Sequence, residues 1–260
     1  MLSTKSGRVR TARRLARRAS RAEHGLFLAE GPQAVREALD VPGLVREVFA
    51  LPGRHAELCA RAGDLPWHLA DEQAVAALSE TVHPQGVVAV CRTLDVPLDD
   101  VLASRHRLVA VCADVRDPGN AGTVIRCADA AGAGAVVLAG DSVDPHNGKA
   151  VRASAGSLFH LPLALARDAA EAVRRLRFAG LLVLAATGTG ELDLDAAADT
   201  GLLAAPTAWL FGNEAHGLPD ELAALADHRV RIPIHGRAES LNLATAAAVC
   251  LYASARAQRS

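Results

Sequence analysis

The stretch Phe211-Gly212-Asn213-Glu214-Ala215-His216-Gly217-Leu218-Pro219 constrains this chain more than any other. The apolar run Thr207–Leu210 precedes it and the helical-looking Asp220–Ala226 follows. A buried strand therefore delivers it to a turn at the edge of a sheet. Its two glycines permit positive φ and close backbone approach, and Pro219 is suited to open a helix. The carboxylate of Glu214 thus sits on backbone shaped for ligand contact, although charged turn residues are more often simply solvated. His216 has the chemistry of an acid or base, but nothing nearby in sequence pairs with it. Two further stretches read as companions, Asp114–Ala133 upstream and Ile232–Tyr252 downstream.

Periodicity orders the rest. Val9–Ala22 has helical spacing, with Leu15, Ala16, Ala19 and Ala22 on one side and arginines elsewhere. A short strand over 25–32 then turns into a helix Gln33–Leu39, followed by strands at Val45–Leu51, Trp67–Ala70 and Gly86–Cys91 separated by helices. This predicts a small α/β unit with its own apolar face. Asp and Pro interrupt the pattern at Leu94–Pro97, the expected linker. Beyond it, strands at Leu108–Ala113, Ala135–Ala139, Leu161–Leu165, Leu181–Ala186, Thr207–Phe211 and Val230–Ile232 alternate with helices, and Leu241–Ala257 closes the chain. Continuous apolar strands between helices predict a parallel sheet covered on both faces. Ligands on such sheets bind beyond the carboxyl ends of the strands, where all three unusual stretches begin.

Composition bounds the possibilities. A chain of 260 residues, half of them apolar, holds one large domain or two smaller ones. It has no apolar run of 18 residues, and its arginine-rich start lacks an apolar signal core. These features predict a soluble, non-secreted protein with no membrane partner. The five cysteines are scattered without Cys-x-x-Cys, so buried thiols are expected in place of disulfides or a metal site. Net charge is −1, yet residues 1–24 carry eight Lys/Arg against one Glu, or +7, leaving −8 on the remainder. Such asymmetry suits a basic arm for a polyanion; a solvated tail is the plainer alternative.

In the upstream stretch, Asn120 is a candidate cap for a helix whose apolar arc is Ala121, Val124, Ile125, Ala128 and Ala131. Gly122, Arg126 and Asp129 share a different, polar arc. A guanidinium held over a glycine beside a turn suits a phosphate or carboxylate, whereas an Arg126–Asp129 surface pair is the alternative. Downstream, Ser240 is a candidate cap for an Ala-rich helix, with Asn242 in its first turn. There is no Gly-x-Ser-x-Gly elbow and no Walker loop. The Gly132-Ala133-Gly134 and Gly188-Thr189-Gly190 runs lack the context of a dinucleotide fingerprint.

Taken together, Asp117-Pro118-x-Asn120-x-Gly122-x-x-x-Arg126-x-Ala128, then Gly212-Asn213-Glu214-x-x-Gly217, then Ile232-Pro233…Ser240-Leu241-Asn242 resemble the three motifs of the SpoU (TrmH-type) RNA methyltransferases. Order and spacing both match over roughly residues 107–257. Phe27-Leu28-x-Glu30-Gly31 and His83-Pro84-Gln85-Gly86-Val87-Val88-Ala89 resemble the ends of this family's accessory domain, which is similar to ribosomal-protein-type RNA-binding domains. Two departures, Ile234 where Met is frequent and Leu243-Ala244 where Val-Ser is frequent, are packing-scale changes.

The resemblance implies an α/β fold: a basic arm over 1–24, an RNA-binding domain over 25–96, and a trefoil-knotted α/β methyltransferase domain over 97–260. It implies a cytoplasmic homodimer that binds S-adenosylmethionine and methylates a ribose 2′-hydroxyl in RNA. Large-subunit ribosomal RNA is the expected substrate; transfer RNA, or a non-catalytic role as an RNA-binding assembly factor, are the alternatives. Carried over by position, the catalytic set is Arg126, Asn120, Glu214, Ser240 and Asn242. The cofactor set is Thr187, Gly188, Leu210, Phe211, Gly212, Asn213, Ile232 and Leu241, with no metal.

Overall fold

The computed structural model describes residues 1–259. The chain divides into two compact units, Met1–Leu94 with Asp144–Phe159, and Asp95–Val143 with the chain from His160 onward. Among the described residues no helix is long and apolar enough to cross a membrane.

The first unit is built on a four-stranded sheet of β1 (Leu26–Glu30), β2 (Val45–Ala50), β3 (Trp67–Leu69) and β4 (Val87–Arg92). Its order is β1-β4-β2-β3, with β4 antiparallel to both neighbours and β3 parallel to β2. Phe49, Val88 and Val90 meet Val75 and Leu78 in its core. Val9, Ala12 and Leu15 complete that core, so residues 1–24, expected as a separate arm, are part of this unit. The single helix expected over Val9–Ala22 is two, Gly7–Arg13 and Arg18–His24, joined by a 3-10 turn and an extended Arg17. Arg21 explains the break. Its guanidinium, 4% exposed, donates to the carbonyls of Leu15 and Ala16 at 2.9 Å, which a continuous helix would use itself. It also pairs with Asp144 at 2.7 Å. That pair ties the segment Asp144–Phe159 to the first unit, whereas the family resemblance places it in the second domain.

The second unit is an eight-stranded sheet. In chain order its strands are β5 (Asp95–Val96), β6 (Leu108–Ala113), β7 (Ala135–Ala139), β8 (Leu163–Ala166), β9 (Leu182–Ala186), β10 (Leu192–Asp193), β11 (Thr207–Phe211) and β12 (His228–Arg231). All its pairings are parallel, in the order β10-β12-β9-β11-β6-β7-β8-β5. This is the mixed α/β architecture with a parallel sheet that the apolar runs predict. The expected linker Leu94–Pro97 contains β5, which pairs with β8.

Every residue of β6, β7 and β11 is buried, each large aliphatic side chain worth roughly 1.5–3 kcal/mol of transfer free energy. Trp209 is fully buried, and its indole N–H donates to Ser254 Oγ at 2.8 Å, fixing the helix Leu243–Ala257 against the sheet. The strand order has one consequence for function. Because β9, β11 and β6 are neighbours, the segments leaving their carboxyl ends, near 187, 212 and 114, emerge side by side.

Candidate active site

The turn after β6 is held in an unusual conformation. Asp114 has φ +55, a left-handed value that non-glycine residues rarely adopt. Its Oδ1 accepts from the Asp141 N–H at 2.7 Å, and its carbonyl accepts from Asn213 Nδ2 at 2.7 Å. Asp117, not Asn120, caps the helix Pro118–Ala131, accepting from the Asn120 N–H at 2.9 Å with Pro118 at the first helical position. Asn120 therefore has its side chain free for other work.

That side chain joins Glu214. One oxygen of the Glu214 carboxylate accepts from Asp117 N–H at 3.0 Å and Asn120 Nδ2 at 3.1 Å; the other accepts from Arg116 N–H at 3.1 Å. Asn120 Oδ1 in turn accepts from Asn242 Nδ2 at 3.1 Å. Asn242 caps the last helix, accepting at Oδ1 from Ala244 N–H at 2.9 Å, so that helix begins at Leu243 and not at Leu241. Ser240, the expected cap, is exposed and makes no cap bond. One carboxylate and two amides thus tie the three motif stretches into a continuous hydrogen-bonded chain. Partial burial works to raise the Glu214 pKa, but the donors, its own N–H and those of Arg116, Asn120 and Asp117, outweigh it and hold the carboxyl below its ordinary value.

Beside this chain lies a cleft of about 360 Å³. Of the expected cofactor residues, Thr187, Gly188, Phe211, Gly212, Asn213, Ile232 and Leu241 line it. Leu210 does not: its side chain is fully buried in the sheet core. Glu214 and Ser240 reach the cleft as well. Gly212 is required by contact, since a Cβ there would lie 2.3–2.5 Å from the backbone of Gly217 and Leu218. The Gly188-Thr189-Gly190 run has a similar origin: a Cβ on Gly190 would meet the backbone of Arg229–Arg231 at 2.6–2.7 Å. Thr187 Oγ1 is buried without a hydrogen-bond partner among the described residues, a polar atom waiting for one. Glu239, which is not among the residues expected from the motifs, also lines the cleft. Only its proximity to Ser240 pointed to it.

Arg126 stands apart. It is exposed on the helix Pro118–Ala131, does not line the cleft, and its guanidinium makes no hydrogen bond or ion pair among the described residues. The Arg126–Asp129 alternative does not form; Asp129 accepts instead from His160 Nδ1 at 2.7 Å. Its positive charge is therefore uncommitted. His216 is exposed, and its imidazole makes no hydrogen bond or ion pair among the described residues.

Known proteins share this architecture. Residues 107–252 match the SpoU rRNA Methylase family, and residues 7–89 match the MRM3-like substrate binding domain. The chain is 35% identical over 250 residues to the 23S rRNA (guanosine(2553)-2′-O)-methyltransferase RlmP of Bacillus subtilis (strain 168), covering 96% of each protein. Its fold is similar to that of an AdoMet-bound rRNA methyltransferase from Sinorhizobium meliloti, with a TM-score of 0.83 at 32% identity over 98% of this chain and 97% of that one. It is equally similar to the SpoU methyltransferase AviRb from Streptomyces viridochromogenes in complex with AdoMet, with a TM-score of 0.83 at 31% identity over 98% and 99%.

Proposed function

The chain belongs to the SpoU rRNA methylase family, and on that premise we propose that it transfers a methyl group from S-adenosylmethionine to a ribose 2′-hydroxyl of large-subunit ribosomal RNA. The observation that carries this reading is the Glu214–Asn120–Asn242 chain standing beside a cleft of suitable size. The cleft fits the cofactor. It offers the unpartnered Thr187 hydroxyl, open space beside the backbone of Gly188, and apolar walls from Ile232 and Leu241. When bound there, the cofactor supplies an already activated sulfonium methyl.

The remaining work falls to the protein. A ribose hydroxyl is a very weak acid, so the site must align it for in-line attack and offset the negative charge that grows on its oxygen. Thr187, Gly188, Phe211, Gly212, Asn213, Ile232 and Leu241 hold the donor, with Leu210 contributing through its strand. Glu214, Asn120 and Asn242 keep the three loops in register, and Ser240 faces the reacting groups. Arg126 binds the phosphate beside the target ribose and stabilises the developing alkoxide. Arginine stays protonated in proteins, so this role suits it better than proton removal.

The enzyme acts as a homodimer in the cytoplasm. Thr245, Val249 and Tyr252 form an exposed stripe on the last helix, and Tyr252 OH lies 3.4 Å from Ala130 O on the helix that carries Arg126. A second copy packed on that stripe encloses Arg126 and completes the site. The convergence of the segments near 187, 212 and 240 on one cleft supports a knotted path for the C-terminal segment. The first unit selects the RNA, and its cations Lys5, Arg10, Arg13, Arg14, Arg17 and Arg18, exposed along the packed N-terminal segment, suit a phosphate backbone.

The test is transfer of labelled methyl from S-adenosylmethionine to ribosomal and transfer RNA that lack the modification. Label is expected on 23S RNA. Label on transfer RNA alone would overturn the substrate, and no label despite cofactor binding would overturn the reaction.

A further inference from the structure

The two motifs of the first unit, Glu30-Gly31 and His83-Pro84-Gln85, play no part in the site above. Both line one cleft of about 330 Å³, together with the segment 151–155. That volume lies at the small end of the range of about 300–1,000 Å³ typical of ligand sites.

The cleft is built with care. Glu30, at the carboxyl end of β1 and 8% exposed, accepts from Arg152 Nη1 at 3.0 Å, from Glu80 N–H at 3.2 Å, and from the hydroxyls of Ser79 and Thr81. One carboxylate therefore fixes both the guanidinium and the loop leading to His83. Gly31 has φ +91, and a Cβ there would lie 2.6 Å from Gln85 Oε1, so glycine lets that amide close in. Gln33 Nε2 donates to the Ala155 carbonyl at 2.7 Å. Ala155 itself has φ +50, a conformation that persists only where its surroundings over-determine it and that clusters at binding sites.

Charge decides what class of ligand suits this shape. Glu30 and Arg152 neutralise one another, leaving no surplus cation for a phosphate. The unit's exposed cations on the helices Gly7–Arg13 and Arg18–His24, and Arg36, Arg46 and Arg54 elsewhere in it, do not line the cleft. What the cleft offers is two amides, an imidazole and the apolar surface of Ala34 and Val151. Side-chain amides match the donor and acceptor edges of bases. Sequence-specific reading of RNA targets unpaired bases that can be splayed into such recesses.

We propose that this cleft is a second RNA site of the protein, which takes a single unpaired base of the substrate and reads its edge through Gln33, Gln85 and His83. The proposal rests on the RNA methyltransferase reading and assigns its selectivity to a defined place. Gln33→Trp fills the cleft from an exposed position, and Gln85→Ala removes an exposed amide; both leave the Glu30–Arg152 pair in place.

Steady-state methyl transfer by the full chain, with 23S RNA varied, tests it. Both variants should raise KM for RNA on the order of tenfold, as loss of one base contact does. The value of kcat at saturating RNA and the Kd for S-adenosylmethionine should stay within twofold. The slope of log Kd against log salt should be unchanged, because no phosphate contact is lost. A raised KM with a shallower salt slope would make this a phosphate site and overturn base reading, and an unchanged KM in both variants would overturn the site altogether. If the wild-type chain transfers no methyl to any RNA, the parent reading fails. Filter binding of wild type and variants to the same 23S RNA then still reports on the cleft, with equal affinities counting against it.

Discussion

Glu30 and Glu214 are the same device in two settings. Each carboxylate stands at or just past the carboxyl end of a strand and gathers the donors of a neighbouring loop. Their partners differ. Glu30 is nearly buried and meets a guanidinium and two hydroxyls, so its charge is cancelled and the assembly is closed. Glu214 is exposed and meets only N–H groups and an amide, with no cation among them. It keeps its charge and passes orientation on through Asn120 to Asn242. On our proposal the neutralised carboxylate shapes a wall, whereas the uncancelled one positions reacting groups. The first should govern stability and RNA affinity, and the second turnover.

Variants of the two units break or sharpen that contrast. The largest effect is expected in the second unit, where Arg126→Ala should lower kcat by about 10²–10³-fold. Glu214→Gln, which turns one acceptor into a donor facing backbone N–H groups, should cost about 10–100-fold. Both should melt within a few degrees of wild type, as measured by single-turnover methyl transfer beside a thermal scan. Turnover near normal in Arg126→Ala would remove it from the catalytic role.

The first unit should show the reverse pattern. Asp144→Asn leaves the buried Arg21 guanidinium without its counter-charge and should destabilise that unit by about 3–5 kcal/mol in urea unfolding. Glu30→Gln should cost less, about 1–3 kcal/mol, because Arg152 is partly exposed. Neither should change kcat at saturating RNA below the unfolding transition. A fall in kcat as large as that of Glu214→Gln would erase the distinction.

A smaller, more local effect is expected from Gly212→Ala. Its Cβ would overlap backbone that cannot move cheaply, so the turn must shift and the Kd for S-adenosylmethionine should rise about tenfold by calorimetry. An unchanged Kd would place the cofactor elsewhere.

The smallest effects come from protons. Glu214 has a folded pKa below its ordinary 4.5, so its contribution is fully present above that pH and is lost as pH falls through the depressed value. Asp144 follows the same sign from 3.8. Burial works to raise it, and hydrogen bonds from His146 and Arg21 together with the Arg21 charge push it well below. The side-chain amide resonances of Asn120 and Asn242 should therefore titrate with a midpoint below 4.5. A midpoint at or above 4.5 would mean that the donors around Glu214 are not engaged in solution.

Much of this was legible in the sequence. The continuous apolar runs at 108–113, 135–139 and 207–211 specify parallel strands buried on both faces, and the sheet contains all three. The polar turns after them mark the carboxyl ends where the cleft lies. What periodicity does not resolve is competition between near-equal local partners. Asp117 and Asn120, and likewise Ser240 and Asn242, are all able to cap a helix. Pro118 decides the first case by suiting the first helical position. In the second, the cap falls to the residue whose other amide atom reaches Asn120. Long-range pairing is invisible for a different reason. Arg21 and Asp144 are far apart in sequence, as are Asp129 and His160, and only the folded chain brings them together. That is why segment 144–159 and the first helices read as belonging elsewhere.

The central claim is that the Glu214–Asn120–Asn242 chain serves methyl transfer to a ribose oxygen. Its most direct test is mass spectrometry of nucleosides from unmodified 23S RNA treated with the wild-type protein and S-adenosylmethionine. The account predicts one kind of methylated nucleoside, with the added mass on the sugar fragment, and its strong reduction in Glu214→Gln. Mass added to the base fragment, or equal yields from wild type and Glu214→Gln, would contradict it.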